Sequence, residues 1–97
     1  MHGVVLSRRA ERDLRRIDSE DLDRIGRALT ALATTADDNL DVKALAGEAP
    51  WLRLRVGDFR VLYRPIQREE GAPHDSRWLV ARVIHRRDLE RALATLK

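Results

Sequence analysis

The N-terminal part of the chain opens with a short apolar run and continues with apolar positions at helical spacing. Val4–Leu6 predicts a short strand. Ser7 is a suitable N-cap for a helix whose apolar positions Ala10, Leu14 and Ile17 recur every three or four residues. The pattern therefore predicts a strand that leads directly into a first helix.

A second helix is predicted to begin at Asp18 or Ser19. Acidic residues follow at once, and they suit a first turn because the helix dipole carries partial positive charge there. The apolar positions form one stripe: Leu22, Ile25, Leu29, Leu32 and Ala33. The two segments together predict a helical hairpin that packs by its apolar side, and we assign it no chemistry. Residues 34–40 are polar and predict a loop.

Residues 51–64 alternate between apolar and mostly basic positions on both sides of Gly57-Asp58. A two-residue loop that starts with glycine is typical of a tight β-hairpin. The implied register places six side chains on a core face: Leu52, Leu54, Val56, Phe59, Val61 and Tyr63. The opposite face then holds Trp51, Arg53, Arg55, Arg60, Leu62 and Arg64.

The remaining segments are shorter. Residues 42–47 fit a brief turn or the lead-in to a strand, and 65–77 predict a mobile polar connection. Residues 78–84 predict a further strand, which is more apolar and therefore expected nearer the centre of the sheet. A short terminal helix follows, with Leu89, Ala92, Leu93 and Leu96.

Composition narrows the class of protein. A chain of 97 residues with 43% hydrophobic and 36% charged residues predicts one globular domain, residues 1–97. Without cysteine there is neither a disulfide framework nor a thiolate metal site. No apolar run is long enough for a signal peptide or a membrane span, so we expect a cytoplasmic protein.

Charge is distributed unevenly. Residues 1–48 hold 8 basic and 10 acidic residues, whereas 49–97 hold 11 and 6. The second half is therefore expected to face an anionic partner. Arginine supplies 17 of the 19 basic residues, including those of the acidic helices. The presence of arginine alone therefore does not indicate an anion-binding site, and only the clustering of arginines on one face does.

The hairpin register sets Arg55 directly across from Arg60, with Arg53 and Arg64 on the same face. Like charges opposed on a sheet cost roughly 0.2 to 1 kcal/mol per pair unless an anion lies between them. The pattern favours a phosphate-binding face. The alternative is that the arginine stems cover apolar surface while their charged ends extend into water.

Residues near the end of the following strand extend the candidate site. His85, Arg86 and Arg87 can lengthen the positive face, and His85 has the pKa range for proton transfer. Glu90 can act as a base or pair with Arg86 or Arg87. Trp51 can stack a base or plug the edge of the core.

Other chemistry has no support in the sequence. We find no phosphate loop, paired-carboxylate motif, metal-ligand spacing or nucleophile elbow, so we expect no cofactor and disfavour metal-dependent chemistry. If RNA is cut, its own 2′-hydroxyl has to attack the phosphate while arginines stabilise the developing charge.

The chain resembles the RelE/ParE superfamily of bacterial toxins from type II toxin-antitoxin pairs. The likeness runs from Val4 to about Leu96, and each of its landmarks is short. They are Val4-Val5-Leu6-Ser7 before a helical hairpin, residues 42–47, residues 51–64, and Arg82-Val83-Ile84-His85-Arg86-Arg87-Asp88. Their order and spacing make the resemblance specific for the superfamily rather than for one activity within it.

The resemblance implies an α+β fold in which a helical hairpin packs on a small, mostly antiparallel sheet with a basic face, followed by a short C-terminal helix. RelE-like members cut messenger RNA in the ribosomal A site without a metal and are neutralised by a RelB-like antitoxin. The implied partners are thus a cognate antitoxin, the ribosome and mRNA.

The resemblance also implies roles for individual residues. Arg53 and Arg55 match positions that hold or activate RNA, Arg60 matches the phosphate-stabilising arginine, and Arg86 matches the residue assigned to the leaving group. Many relatives have a catalytic Tyr at the position where this chain has Glu90. Besides Glu90, His85 or an arginine is a candidate for proton transfer, and the RNA contacts are expected from Arg53, Arg55, Arg64, Arg87 and Trp51.

Three functions remain open at this point. The first is a ribosome-dependent endoribonuclease, favoured by the crowded arginines. The second is a ParE-like toxin that inhibits DNA gyrase and cuts nothing, favoured by the missing Tyr. The third is a basic RNA-binding module without catalysis, which would bind with strong salt dependence.

Overall fold

The secondary structure follows the predicted order. A computed structural model describes residues 3–34, 40–66 and 77–96. The elements are β1 (Val4–Leu6), α1 (Arg8–Arg15), α2 (Ser19–Thr34), β2 (Asp41–Ala44), β3 (Leu52–Val56), β4 (Phe59–Pro65), β5 (Trp78–His85) and, after a 3-10 turn at Arg86–Asp88, α3 (Leu89–Leu93). The loop predicted at 34–40 and the connection predicted at 65–77 lie mostly outside the described residues.

The five strands form one sheet in the order β1-β5-β4-β3-β2. Only β1 and β5 are parallel, and the other three pairings are antiparallel. The predicted α+β class with a mostly antiparallel sheet is confirmed, and β5 lies inside the sheet as its apolar character indicated. The segment 42–47, predicted as a turn or the lead-in to a strand, overlaps a strand, β2, which begins at Asp41, pairs with β3 and forms one edge of the sheet.

The β3–β4 hairpin has the predicted register. Leu54 pairs with Val61 and Arg55 pairs with Arg60. Gly57 has a φ of +57°, in the left-handed region that the first residue of this tight loop requires. The register fixes which side chains enter the core and which form the other face.

The two faces of the sheet have different coverings. Helices α1 and α2 pack on one face and cover the main core, to which the sheet contributes the fully buried residues Leu54, Val61, Val80 and Val83. Helix α3 packs on the other face, where Ala92 meets Leu62 and Ile84 in a smaller cluster. Because Leu62 lies between Arg60 and Arg64 along β4, α3 lies on the same side of the sheet as the hairpin arginines.

The start of α1 is fixed by Ser7, as predicted. The Ala10 amide donates to Ser7 Oγ at 3.0 Å, and the hydroxyl donates to the Ala81 carbonyl oxygen of β5 at 2.7 Å. In α2 the predicted apolar stripe is too long, because Leu22 is 38% exposed and the buried positions begin at Ile25. In the described ranges, no helix is both long enough and apolar enough to span a membrane.

An ion pair that the sequence did not indicate joins α1 to β5. Arg82 Nε and Nη2 donate to the two oxygens of Asp13 at 2.8 and 3.1 Å. The Val83 amide donates to the same carboxylate at 2.9 Å. The side chains of Asp13 and Arg82 are only 13% and 20% exposed, so this contact is largely shielded from water. It locks the first helix against the strand that leads to Arg86.

Candidate functional site

The basic residues of the hairpin share one face of the sheet, as the register required. We call Arg53, Arg55, Arg60, Arg64 and Arg86 the arginine face. Burial and the charges of Arg55, Arg53 and Arg86 together lower the pKa of Arg60. Arg53, Arg55 and Arg86 are therefore close enough to Arg60 to act on it electrostatically.

Arg60 turns back onto its own loop. Its Nη1 donates to the carbonyl oxygens of Gly57 and Phe59 at 3.0 and 2.9 Å. Both contacts use the same one of the three guanidinium nitrogens. A guanidinium anchored in this way has a restricted position, which favours a bound phosphate over a diffuse ion cloud.

Two carboxylates lie against the arginine face. Asp41 of β2 contacts Arg53 at 3.6 Å and Arg55 at 4.0 Å. Asp58 of the hairpin loop contacts Arg86 Nε at 3.6 Å, and the Asp58 carbonyl oxygen accepts from the Arg86 amide at 2.7 Å. The backbone contact brings Arg86 beside the hairpin although it follows a different strand. The sequence analysis missed both carboxylates, although the polar–apolar alternation of Asp41-Val42-Lys43-Ala44 was a signal for β2.

Trp51 and Arg64 pair at the other end of the hairpin. The Arg64 guanidinium lies 5.6 Å from the centre of the Trp51 ring, and Arg64 Nη1 donates to the Pro65 carbonyl oxygen at 3.0 Å. Trp51 is half-buried and lies on the arginine side of the sheet, as predicted. Both roles predicted for Trp51, an edge plug and a platform for base stacking, stay predictions.

The expectation that His85 extends the arginine face is wrong. His85 pairs with Phe59 across β4 and β5, and the two rings meet edge to face at 5.6 Å on the side of the sheet that α1 and α2 cover. Its Nδ1 accepts from the Arg87 amide at 3.2 Å. Alternation along β5 is the cause, since His85 shares a face with the buried Val83 rather than with Ile84.

Arg87 also lies apart from the arginine face. It contacts Asp88 at 3.9 Å and lines a cavity of about 470 Å³ between α1, β5 and α3. The cavity is lined by residues of both charge signs, and none of the five arginines of the arginine face borders it. The RNA contact predicted for Arg87 stays a prediction.

Glu90 is exposed at the start of α3, on the helix that covers the arginine side of the sheet. The predicted pairing with Arg86 or Arg87 is not observed, because those residues contact Asp58 and Asp88. Glu90 thus remains a carboxylate that no contact within the described part of the chain engages.

The arrangement can bind a polyanion. Several guanidiniums within mutual electrostatic reach supply planar donors matched to phosphate oxygens. Among the described residues, no group of three or more His, Asp or Glu side chains is placed to hold a metal ion.

Comparisons with known proteins identify the class. The model of the family described as the ParE toxin of the type II toxin-antitoxin system, parDE, matches residues 4–90. The chain belongs to this family of toxins, within the RelE/ParE superfamily that its sequence resembles. No curated protein matches the chain significantly.

Several solved toxin-antitoxin complexes have the same fold. The RelB-RelE complex of Methanococcus jannaschii matches with a TM-score of 0.68 and 19% identity, over 91% of this chain and 96% of that one. The RelBE2 complex of Mycobacterium tuberculosis gives 0.66 and 25%, over 88% and 98%. The RelE-RelB complex of Pyrococcus horikoshii gives 0.64 and 19%, over 88% and 94%. The family model carries the ParE name and these structures the RelE name, so the comparisons establish a type II toxin without choosing between the two activities.

Proposed function

We propose that this toxin is a ribosome-dependent endoribonuclease that cuts messenger RNA in the A site and thereby inhibits translation. The observation that supports the proposal most is that Arg60 lies directly opposite Arg55 in the hairpin and near Arg53 and Arg86. Burial and the charges of these three arginines lower the pKa of Arg60. Such crowding costs free energy in the free protein and is relieved when a phosphate binds, because the phosphate supplies the missing negative charge. A surface that only binds gyrase has no need of several guanidiniums directed at phosphate.

The proposed reaction uses the RNA's own nucleophile. The 2′-hydroxyl attacks the adjacent phosphorus, the 5′-oxygen leaves, and a cyclic phosphate forms. Arg60 stabilises the negative charge that grows on the phosphate oxygens, and Arg86 is assigned to the leaving oxygen. Arg53 and Arg55 hold the neighbouring phosphates. Arg64 and Trp51 contact the RNA further along the hairpin, where a base can stack on the exposed part of the indole.

Proton transfer falls to Glu90 in this proposal. Helix α3, which carries Glu90, packs on the arginine side of the sheet, whereas the ring of His85 meets Phe59 on the other side. A glutamate side chain can act as a general base that takes the proton of the 2′-hydroxyl. A Glu90→Gln variant that cuts as fast as the wild type would remove this assignment and leave an arginine as the base.

Inhibition of DNA gyrase is the second candidate. The family description and the absence of a Tyr at position 90 support it. A gyrase inhibitor acts as a bound protein, so its activity is expected to depend on shape and apolar contact rather than on phosphate-directed guanidiniums.

The two functions separate in one experiment. Primer extension is run on an mRNA bound to purified ribosomes, with and without the protein, beside the same mRNA free in solution, and gyrase supercoiling is assayed in parallel. The proposal expects cuts at A-site codons on ribosomes, little cutting of free mRNA and unaffected supercoiling. Intact mRNA together with blocked supercoiling would replace the proposal with gyrase inhibition.

An antitoxin is the proposed regulatory partner. The structural neighbours are toxin-antitoxin complexes containing RelB-type antitoxins. We propose that a RelB-like antitoxin neutralises this toxin by covering the arginine face with an acidic or amphipathic segment. A complex structure that leaves Arg53, Arg55 and Arg60 open to solvent would contradict this mode of neutralisation.

A further inference from the structure

We propose that Asp41 is an internal counter-anion, which competes with ligand phosphate for Arg53 and Arg55 and so sets the anion affinity of the arginine face. The inference rests on the proposed function only in taking RNA as the natural ligand. The competition itself concerns any phosphate that enters this face.

The geometry places one carboxylate against two guanidiniums. Asp41 stands directly opposite Arg55 in the β2–β3 ladder. Its Oδ1 lies 3.6 Å from Arg53 Nη2, and its Oδ2 lies 4.0 Å from Arg55 Nη1. Each carboxylate oxygen thus meets a different arginine, as two oxygens of one phosphate group can.

The contact is arranged so that a ligand can replace it. Both distances exceed hydrogen-bond length, and the side chains of Asp41 and Arg55 are 53% and 57% exposed. Exposed ion pairs contribute little free energy, so an incoming phosphate has only a weak competitor to displace. Arg53 is 14% exposed, which fixes its position for either partner.

The charge of Asp41 acts beyond its direct contacts. The charge of Asp41 raises the pKa of Arg60, whereas the charges of the neighbouring arginines lower it. In the free protein the carboxylate therefore relieves part of the repulsion that the Arg55–Arg60 pairing creates. A phosphate that takes its place relieves the same repulsion, which is why the two exclude one another.

The alternative is that Asp41 only holds the edge strand β2 against β3. A structural carboxylate would affect the stability of β2 when it is replaced, without a specific effect on anion binding. The two roles therefore give different results in a binding experiment.

The test is a titration of isotope-labelled protein with inorganic pyrophosphate, followed by NMR through the Arg60 Nε–Hε signal and the β3–β4 amides. Asp41→Asn is expected to bind pyrophosphate roughly threefold to fivefold more tightly than the wild type, the factor equivalent to one exposed ion pair. The matched control is Asp23→Asn, which removes the same charge from the exposed surface of α2. It is expected to change the affinity by less than about 1.5-fold, since Asp23 is exposed and the charge of an exposed side chain without direct contact to the arginines is screened by salt.

A second background separates direct competition from general charge. In the Arg53→Gln/Arg55→Gln protein, Asp41→Asn is expected to gain no more affinity than Asp23→Asn gains, because the arginines that Asp41 contacts are gone. Equal gains from Asp41→Asn and Asp23→Asn in the otherwise wild-type protein would overturn the proposal. A gain in pyrophosphate affinity from Asp41→Asn that persists in the Arg53→Gln/Arg55→Gln protein would overturn it too. If Asp41→Asn disturbs the β2 amide signals, Asp41→Thr takes its place, because threonine favours a β-strand more than asparagine does.

Failure of the inference and failure of the proposed function are distinguishable. The titration contains no ribosome and no RNA. A protein that leaves mRNA intact but binds pyrophosphate more tightly after Asp41→Asn loses the nuclease function and keeps the counter-anion. A protein that cuts mRNA but shows no specific effect of Asp41→Asn does the reverse.

Discussion

Replacement of Asp13 by Ala is expected to destabilise the fold more than the loss of an ordinary surface charge. The carboxylate accepts from Arg82 Nε at 2.8 Å, Arg82 Nη2 at 3.1 Å and the Val83 amide at 2.9 Å. Asp13→Ala therefore leaves a partly buried guanidinium and a backbone amide without their acceptor.

The magnitude follows from the burial of the pair. Breaking a buried ion pair by removing one partner costs about 3 to 5 kcal/mol. Arg82 keeps 20% exposure and a 3.3 Å contact from Nη1 to Thr95 Oγ1, so water and the hydroxyl offset part of the loss. We expect about 3 kcal/mol at the lower end of that range. For a domain of this size the midpoint of thermal unfolding then falls by roughly 12 to 24 °C.

Urea denaturation followed by tryptophan fluorescence measures the change in the free energy of unfolding. The control is Asp23→Ala, on the exposed surface of α2, which is expected to stay within about 0.5 kcal/mol of the wild type. Combination with Arg82→Met completes a double-mutant cycle, in which the double variant is expected to lose less than the sum of the single losses. A loss below about 1 kcal/mol for Asp13→Ala would refute the idea that this contact locks α1 to β5.

Three further predictions concern stability. Burial raises the pKa of Tyr63, the only tyrosine of the chain, so as the pH rises the hydroxyl loses its proton in the unfolded protein before it does in the folded protein. The contribution of Tyr63 to the free energy of unfolding is therefore intact below about pH 10. Above that pH the free energy of unfolding falls by about 1.4 kcal/mol per pH unit until the pKa of the folded state is reached. Denaturation at several alkaline pH values, with tyrosinate absorbance, tests this, and an unchanged stability through that range would count against it. Ser7→Ala removes the N-cap of α1 and the hydrogen bond to the Ala81 carbonyl oxygen, and it is expected to lower the free energy of unfolding by about 1 to 2 kcal/mol. Urea denaturation measures the loss, with Ser19→Ala as the control. Equal losses for the two variants would contradict the prediction. Gly57→Ala is expected to lower the free energy of unfolding by about 1 kcal/mol in the same assay, because alanine adopts the φ of +57° at a cost. Steric clash adds nothing, since an added Cβ meets no atom closer than Arg24 Nη1 at 3.6 Å. Wild-type stability of the variant would contradict the prediction and show that the loop relaxes.

The parts of the fold that follow from local pattern were predictable from the sequence. A two-residue loop and a period of two fix the hairpin register, so the pairing of Arg55 with Arg60 could be foreseen. The cap at Ser7 depends on residues within one turn and could be foreseen for the same reason.

Contacts between residues distant in the chain were not predictable in this way. Asp13 and Arg82 are 69 residues apart, and nothing near either residue indicates the other. Asp41 reaches the arginines because β2 pairs with β3, which the sequence suggested only as a turn or lead-in. His85 was placed near the arginines by its neighbours in sequence, whereas the alternation along β5 turns it to the opposite face.

The central claim is that Arg60 acts on RNA phosphate, and one comparison tests it most directly. Cleavage of ribosome-bound mRNA is measured for wild type, Arg60→Ala and Arg27→Ala, the last of which removes the same charge from the exposed surface of α2. Loss of one donor that stabilises transition-state charge lowers a rate by about a hundredfold to a thousandfold. We expect that loss for folded Arg60→Ala and nearly unchanged cleavage for Arg27→Ala. Equal rates for the two variants would contradict it.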